Sequence, residues 1–517
     1  DFYCPECRLP LRWDQNACPK CKTEFEPLRP RVRKGERLAY EPLRATDTQA
    51  VGPVLDEVAR SESPFEEERP RSGEPSAPVD VTGRSTGRLI DEAWPQLKPP
   101  ERSRFALGSY GRVSLSVDED LNGAENRNVV DFAPRLSKSS YQELHFYYKD
   151  YLNELPVLVK TTLAMNEKLF HENGQFDTNL ALREAYVEIE PTPDIALWTG
   201  ARMYRGDDIY LFDVWPLDDQ NTVGAGTAIR LFEGHRLQLH AGLNRIVEDS
   251  FFQFETVKLA NEETVGLREA VFLNRYRLTG STTYRIQLGD LGLKAHFELS
   301  HLPSGTRRVA GALERDERLP SETGFLVGGQ VGYSFGPQSF ARLTLSYAHG
   351  LSAYDELSVP FGFARDYSVE DASYLRVTAG GAIDSDYVGL HWGTYWQTFE
   401  DADGIPDRDD RDQLAFALRP LVYFGDYFRT GLEFSSQVLW TDGISPDTGE
   451  KETASVNQLY VLAGVAAGKG PFTRPAIYGF WGLNWLNEGA ELELARSLAD
   501  RPDRRSQVFG ILAEWWF

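Results

Sequence analysis

The chain has 517 residues, of which 41% are hydrophobic and 26% charged, and its formal net charge is −23. No stretch reaches the roughly 18 uncharged apolar residues that a membrane-spanning helix needs, and a pI near 4.9 argues against a nucleic-acid-binding surface. The combination of 23 Tyr, 29 Phe, 11 Trp and 44 Gly with only 2 Met is typical of many short strands and turns. The mean hydropathy of −0.42 remains compatible with a transmembrane barrel, because only every second residue of its strands faces lipid.

All four cysteines lie near the N-terminus, as the Cys-x-x-Cys pairs Cys4/Cys7 and Cys18/Cys21. This spacing resembles a zinc ribbon, in which each short turn directs two thiolates at one metal ion. Residues 1–28 are too few to build a core, so the metal would supply the folding energy. The alternative is a pair of disulfides, because an exported protein meets oxidising conditions.

Residues 29–103 are rich in Pro, Glu, Ser and Arg and contain few large apolar side chains. Such a segment cannot bury enough apolar surface to fold alone, so we expect a flexible, solvated linker. The alternative is a segment that lies against the following domain or threads into it. The chain begins at Asp1 without a signal peptide, and if the protein is exported we expect that its signal has been removed.

From residue 104 to the end, apolar and polar residues alternate in runs of about 8 to 10 residues, which predicts β-strands. In residues 293–299, for example, Leu293, Phe297 and Leu299 lie on one face, and Lys294 and Glu298 lie on the other. A soluble sandwich could also alternate. Charged residues on the polar face of successive strands, aromatics near strand ends and the terminal Trp-Trp-Phe favour a transmembrane barrel. At ~22 to 24 residues per strand and connection, residues 104–517 predict about 18 antiparallel strands.

The acidic stretch near residue 400 places Asp401, Asp403 and Asp407 around Gly404. Closely spaced carboxylates at a glycine turn predict a calcium loop, although the Glu expected at the twelfth position is absent. The alternative is a solvated acidic loop. The eight histidines form no His-x-x-x-His motif, and the chain has no phosphate-binding loop. We therefore expect that the protein is not an enzyme.

Several motifs between residues 105 and 517, in family order, resemble the maltoporin family of outer-membrane sugar channels. The opening strand contains Tyr110-Gly-Arg112, and Arg135-Leu136 precedes Tyr141-Gln-Glu143. The longest motif runs from Trp198 to Trp215 and includes Asp208 and Asp213. Later motifs are Leu418-Arg-Pro420, Phe472-Thr-Arg474 and the Trp-Trp-Phe end.

The resemblance implies an 18-stranded trimer in the bacterial outer membrane, narrowed by an inward-folded loop and carrying sugars such as maltodextrins. The N-terminal module would be periplasmic and would either dock another envelope protein or cap the periplasmic mouth of the barrel. The residues matching the aromatic sugar slide are Tyr110, Tyr141, Phe472 and Trp516, and those matching the polar track are Arg112, Arg135, Glu143, Asp208 and Asp213. Trp215 matches a constriction-loop position.

Strand alternation places Tyr110, Arg112, Tyr141, Glu143 and Trp516 on the lumen face, as the resemblance requires. Arg183 also matches a track position, but it shares its predicted face with Ala185, Val187 and Ile189 and is not included. Two alternative functions are a general or anion-selective porin and a barrel that acts as a scaffold for the N-terminal module.

Overall fold

The structure is a computed structural model, and the chain divides into two units, Asp1–Pro75 and Ser76–Phe517. In the first unit it describes only residues 2–3 and 10–11, so the predicted cysteine ligands and residues 29–75 of the linker lie outside the described residues. In the second unit it describes residues 104–517 except 125–126, 135, 137–139, 167–178, 245–269, 272–274, 310–314, 357–359, 365–367, 445–448 and 498–501.

The described part of the chain is almost entirely β-strand and short connections. The strands are β1 (Phe2–Tyr3), β2 (Pro10–Leu11), β3 (Arg104–Asp118), β4 (Tyr141–Leu152), β5 (Leu155–Asn166), β6 (Asn179–Thr192), β7 (Ile195–Arg205), β8 (Asp219–Phe232), β9 (His235–Asn244), β10 (Ala270–Val271), β11 (Arg277–Leu288), β12 (Leu291–Leu302), β13 (Gly305–Val309), β14 (Arg315–Leu319), β15 (Glu322–Gly336), β16 (Ser339–Gly350), β17 (Ser373–Asp384), β18 (Val388–Glu400), β19 (Arg411–Phe424), β20 (Phe428–Ile444), β21 (Lys451–Ala466), β22 (Ala476–Leu486) and β23 (Arg505–Trp516). A 3-10 turn spans Leu351–Ala353, and helix α1 spans Glu488–Ser497. Among the described residues, no helix is long and apolar enough to cross a membrane.

Eighteen of the described strands close into one antiparallel barrel, which confirms the predicted fold. Each strand pairs with its neighbour in sequence, except that β9 pairs with β11 and β12 with β15, while β10, β13 and β14 form a small separate sheet. The last strand closes the ring, since Val508–Trp516 of β23 pair with Tyr110–Asp118 of β3. Closure leaves this barrel of described strands without an edge strand and its unsatisfied backbone groups.

The barrel wall is apolar outside and polar inside, the reverse of a soluble protein. In β12 the side chains of Lys294, His296 and Glu298 are buried, whereas Phe297 and Leu299 are exposed. Strand β9 shows the same alternation, with buried Arg236, Gln238 and His240. An apolar outer face suits lipid, and a polar inner face suits a wet lumen.

The two ends of the barrel differ in the length of their connections. At one end the turns are short, such as the two residues between β4 and β5, and at the other end long loops join the strands. Three of these long loops are loop 3 (residues 206–218), loop 6 (351–372) and loop 7 (401–410). Exposed aromatics gather at the short-turn end, where a membrane interface favours them: Phe105, Tyr148, Phe232, Tyr333, Phe335, Tyr387, Phe424, Tyr427, Phe428 and Phe517.

Candidate functional site

Loop 3 folds into the barrel instead of extending from its end. Leu211 and Phe212 are at most 1% exposed although they belong to a connecting loop. The wall beneath the loop is flat because glycine occupies the contact positions. A Cβ atom at Gly393 would lie 2.6 Å from Ile209 Cγ2, and one at Gly380 would lie 3.2 Å from the same atom. Glycine therefore allows the loop to pack directly against the strand backbone.

Ion pairs fix both ends of loop 3 to the wall. At its start, Asp207 lies 2.9 Å from the Lys294 ammonium and 3.2 Å from the Arg342 guanidinium. At its end, Asp218 lies 3.0 Å from Arg285 and 3.2 Å from Lys294. Buried carboxylates are tolerated where cations neutralise them, so these four contacts explain how a charged loop remains inside the barrel.

A tight turn in loop 3 presents one acidic side chain to the opposite wall. Asp213 has a φ of 55°, a left-handed conformation that aspartate tolerates better than most residues. Its N–H donates to the Ile209 carbonyl at 2.9 Å, and its carboxylate lies 3.4 Å from the Arg112 guanidinium. The turn thus links the tip of loop 3 to strand β3.

Loop 3 and the wall formed by β3, β4, β6, β7 and β8 enclose a cavity of about 350 Å³. Its lining residues are Tyr110, Arg112, Phe132, Tyr141, Glu143, Arg183, Met203, Arg205, Gly206, Phe212, Asp213, Val214, Trp215 and Asp219. This volume falls in the range of about 300–1,000 Å³ that is common for small-molecule sites. The cavity is therefore large enough to accept a ligand in the constricted part of the barrel.

The charges that line this cavity are balanced and paired. Arg112 faces Asp213 at 3.4 Å, Arg183 faces Glu143 at 2.7 Å, and Arg205 faces Asp219 at 3.0 Å. Three cationic and three anionic side chains thus contribute to the lining. Such pairs place hydrogen-bond donors and acceptors side by side along one surface.

Aromatic rings lie directly beside these ion pairs. The Tyr110 and Tyr141 rings are 6.0 Å apart at an interplanar angle of 52°. The Tyr141 hydroxyl hydrogen-bonds to Glu143 and to Arg183, and the Trp215 ring lies 3.7 Å from the Arg205 guanidinium carbon. The cavity therefore combines apolar ring faces with charged hydrogen-bonding groups.

The cavity contains most of the residues predicted for the slide, the polar track and the constriction loop. Tyr110, Tyr141, Arg112, Glu143, Asp213 and Trp215 all line it. Asp208 lies elsewhere, in a cavity of about 10 Å³ that Arg342 and Gln330 also line. Arg135 lies outside the described residues.

Phe472 and Trp516 do not line the cavity, and they contact other residues of the lumen instead. Phe472 packs edge-on against Tyr210 of loop 3 at 5.5 Å and contacts His391 at 4.6 Å. The Arg474 guanidinium lies 4.5 Å from the Trp516 ring. Trp516 is also the cross-strand partner of Tyr110, so it continues the aromatic surface from the cavity along the wall.

Arg183 belongs to the cavity, and the expectation that it faces lipid is wrong. A β-bulge explains the error: Thr162 pairs with Glu184 and Leu163 with Leu182, which leaves Arg183 as the extra residue. A bulge shifts the alternation by one residue. Leu180 and Leu182 before the bulge are exposed to lipid, while Glu184 after it is buried.

An inward aromatic cluster on β6 and β7 was not among the predicted site residues. Tyr186, Trp198 and Tyr204 are buried, and the Arg202 guanidinium lies 4.6, 5.1 and 5.5 Å from their rings. The signal was present, because Trp198, Arg202 and Tyr204 occupy alternate positions of one strand. More aromatic side chains therefore face the lumen than the four predicted slide residues.

The predicted calcium residues are only partly brought together in loop 7. Carboxylate oxygens of Asp401, Asp407 and Asp409 lie within 4.8 Å of one another. Asp403 is not part of this group, and its carboxylate accepts the Ile405 N–H at 2.6 Å. Burial and, secondarily, the neighbouring carboxylates raise the pKa of Asp401 to about 7. The predicted zinc ligands Cys4, Cys7, Cys18 and Cys21 lie outside the described residues and stay a prediction.

A closed antiparallel barrel with an apolar outer face, a polar lumen and an inserted loop is the architecture of an outer-membrane channel. The family model described as LamB porin matches residues 121–517. The chain belongs to the LamB porin family and is a protein of the bacterial outer membrane. No curated protein matches the chain.

Solved outer-membrane proteins are similar to the chain at low sequence identity. OmpT of Vibrio cholerae shares 12% identity, and the channel DcaP of Acinetobacter baumannii and OpdQ of Pseudomonas aeruginosa each share 10%. Each alignment covers 81% of this chain and 99% of the other chain, with a TM-score of 0.41.

Proposed function

We propose that this channel carries sugars, most of all oligosaccharides such as maltodextrins, by facilitated diffusion. The observation that carries the proposal is the composition of the loop 3 cavity, where Tyr110, Tyr141 and Trp215 lie beside three ion pairs. The resemblance to maltoporins supports the same substrate class. Passive transport requires neither a catalytic group nor an energy source.

Sugar chemistry matches both components of this surface. A pyranose ring has apolar C–H faces that pack on aromatic rings, and a rim of hydroxyls that both donate and accept hydrogen bonds. A paired Arg and carboxylate offers both roles to adjacent hydroxyls. Several similar sites in succession let a ligand advance because no single site holds it tightly. Trp516, next to Tyr110 on the adjacent strand, would supply the following site.

A general or anion-selective porin is the second possibility, and the cavity charges disfavour anion selectivity. Each of Arg112, Arg183 and Arg205 faces a carboxylate. A lining with three cations and three anions creates little net field along the path, whereas anion-selective pores use rings of one sign. We therefore propose selection by ring stacking and hydrogen bonding.

Block of ion current by maltodextrins tests this function. In planar bilayers we expect a concentration-dependent reduction of conductance by maltodextrins in the unaltered channel. Tyr141→Ala and Trp516→Ala should each raise the half-blocking concentration about two- to tenfold, since an aromatic contact contributes about 0.5–1.5 kcal/mol. Trp440→Ala is the matched control, because Trp440 is 38% exposed on the lipid face.

The outcomes of this experiment separate the alternatives. A conductance that no sugar reduces would indicate a general porin. Equal effects of Trp440→Ala and Trp516→Ala would indicate that loss of an aromatic residue merely perturbs the barrel. No conductance from a correctly folded barrel would favour the scaffold role for the N-terminal module.

The oligomeric state and the N-terminal module are part of the same proposed function. The resemblance supports a homotrimer. The two Cys-x-x-Cys pairs support a periplasmic zinc module, with an envelope protein as its partner. Elemental analysis for zinc together with a thiol count under denaturing conditions distinguishes bound metal from two disulfides.

A further inference from the structure

Loop 7 carries a local excess of negative charge without a counter-ion in the described part of the chain. It contains the aspartates Asp401, Asp403, Asp407, Asp409 and Asp410, and none of them forms an ion pair with a described residue. The nearby arginines are directed elsewhere. Arg408 pairs with Glu452 at 3.3 Å and with Glu493, and Arg411 pairs with Asp131 at 3.3 Å.

Three of these carboxylates converge on one point. One oxygen from each of Asp401, Asp407 and Asp409 lies within 4.8 Å of the other two. Calcium binds oxygens at about 2.3–2.6 Å, so oxygens on opposite sides of one ion are about 5 Å apart. The separation of the three carboxylates therefore fits coordination of a single ion between them.

Asp401 gives an independent indication that a ligand belongs there. The residue is only 5% exposed, and its Oδ1 accepts the Asp403 N–H at 3.0 Å. Its Oδ2 is shielded from solvent and accepts no hydrogen bond from the residues that the structure describes. A shielded carboxylate oxygen without a partner is unfavourable, and a bound cation removes that penalty.

We propose that loop 7 binds one calcium ion through Asp401, Asp407 and Asp409. The donor set is entirely carboxylate, which suits a hard cation, and backbone carbonyls and water would complete six to eight ligands. Calcium fits better than magnesium because calcium accepts six to eight oxygens in irregular geometry, whereas magnesium demands near-ideal octahedral geometry. The affinity expected for an extracellular site is about 10⁻⁴–10⁻³ M.

Calcium at this position would stabilise the contact between two loops. The Ala402 N–H, next to Asp401, donates to the Gly362 carbonyl of loop 6 at 3.1 Å. An ion held by Asp401 therefore restrains the strand end that contacts loop 6. Calcium binding in loop 7 is independent of the transported solute, so a channel that does not bind sugars could still bind the ion.

Isothermal titration of the full-length barrel in detergent with calcium chloride tests the site. We expect one ion per chain. Asp409→Asn and Asp407→Asn should each weaken binding at least tenfold, because each substitution removes a charge from the group. Asp403→Asn is the matched control: it removes the same charge from the same loop, yet Asp403 lies outside the group and its amide oxygen can still accept the Ile405 N–H.

Two results would overturn the proposal. One is no binding up to about 10 mM calcium, well above the affinity expected for such sites. The other is equal weakening by Asp403→Asn and Asp409→Asn, which would indicate diffuse attraction to an acidic loop. Unchanged circular dichroism of each variant establishes that the barrel is folded, and the exposed position of Asp409 makes that outcome the expected one.

Discussion

Arg183 and Glu143 form an ion pair on the wall opposite loop 3, and Tyr141 hydrogen-bonds to both. Since the cavity charges cancel, removing one member of this pair leaves a net charge at the narrow part of the lumen. We predict that Arg183→Ala raises the cation-to-anion permeability ratio about two- to threefold, and that Glu143→Gln lowers it by a similar factor. Reversal potentials in a potassium chloride gradient measure both changes.

Lys451→Ala provides the control for this pair of substitutions. Lys451 pairs with Asp442 at 3.0 Å, and both side chains are more than 60% exposed. Because salt screens exposed charges, Lys451→Ala should leave the permeability ratio nearly unchanged. Shifts of the same sign for Arg183→Ala and Glu143→Gln would contradict the assignment of both residues to the conduction path.

Alternation of side chains was sufficient to place single residues as long as the strand stayed regular. It correctly oriented Tyr110, Arg112, Tyr141 and Glu143. It failed at Arg183, because the outward apolar positions change phase there, from Leu180 and Leu182 to Val187, at the bulge opposite Thr162 and Leu163, and the alternation was continued across it in one phase. It also could not choose Asp409 over Asp403 in loop 7. That choice depends on the turn at Gly404, whose φ is 66°.

At the scale of elements, the position of loop 3 depends on the glycines beneath it. Gly393→Val would place side-chain atoms where Ile209 Cγ2 and Phe212 now lie, at 2.6 and 3.2 Å from a Cβ atom. Overpacking of this kind costs about 1–3 kcal/mol, so we predict that loop 3 moves away from β18. The expected result is altered single-channel conductance and faster proteolytic cleavage within residues 206–218.

Gly479→Val is the matched control for this substitution. A Cβ atom at Gly479 has its nearest neighbour at 4.0 Å, so an added side chain meets open space on the outer face of β22. If both variants change the conductance equally, the cause is the loss of glycine flexibility within a strand. The contact between Gly393 and loop 3 would then not be responsible.

Local sequence patterns could not predict the fold of loop 3, because contacts between distant residues determine it. Its ion pairs join Asp207 to Lys294 and Arg342, which are distant in sequence and come together only when the barrel closes. The resemblance to maltoporins predicted an inserted loop and placed Asp213 and Trp215 on it. It did not predict that Asp207 and Asp218 hold the loop while Asp208 lies in a separate small cavity.

At the scale of the whole molecule, the barrel was the most predictable feature. Residue spacing gave about 18 strands, and eighteen close in the structure, because each strand must cross the same thickness of membrane. The apolar outer face is equally constrained, since every strand contacts the same lipid. The small sheet of β10, β13 and β14 lies among the long loops, where no such constraint acts, and was not predicted.

Closure of the barrel depends on its last strand, and this gives a test of the whole architecture. Strand β23 pairs with both β22 and β3, so deleting residues 505–517 opens two strand edges to lipid. Each unsatisfied backbone group in a membrane costs several kcal/mol, and we predict that this variant forms no conducting barrel.

Deleting residues 1–103 should leave a conducting barrel, because residues 104–517 supply all eighteen strands. Protease protection in liposomes and conductance measure both outcomes. Loss of the barrel on removal of residues 1–103 would contradict the independence of the two parts and favour a segment threaded into the lumen.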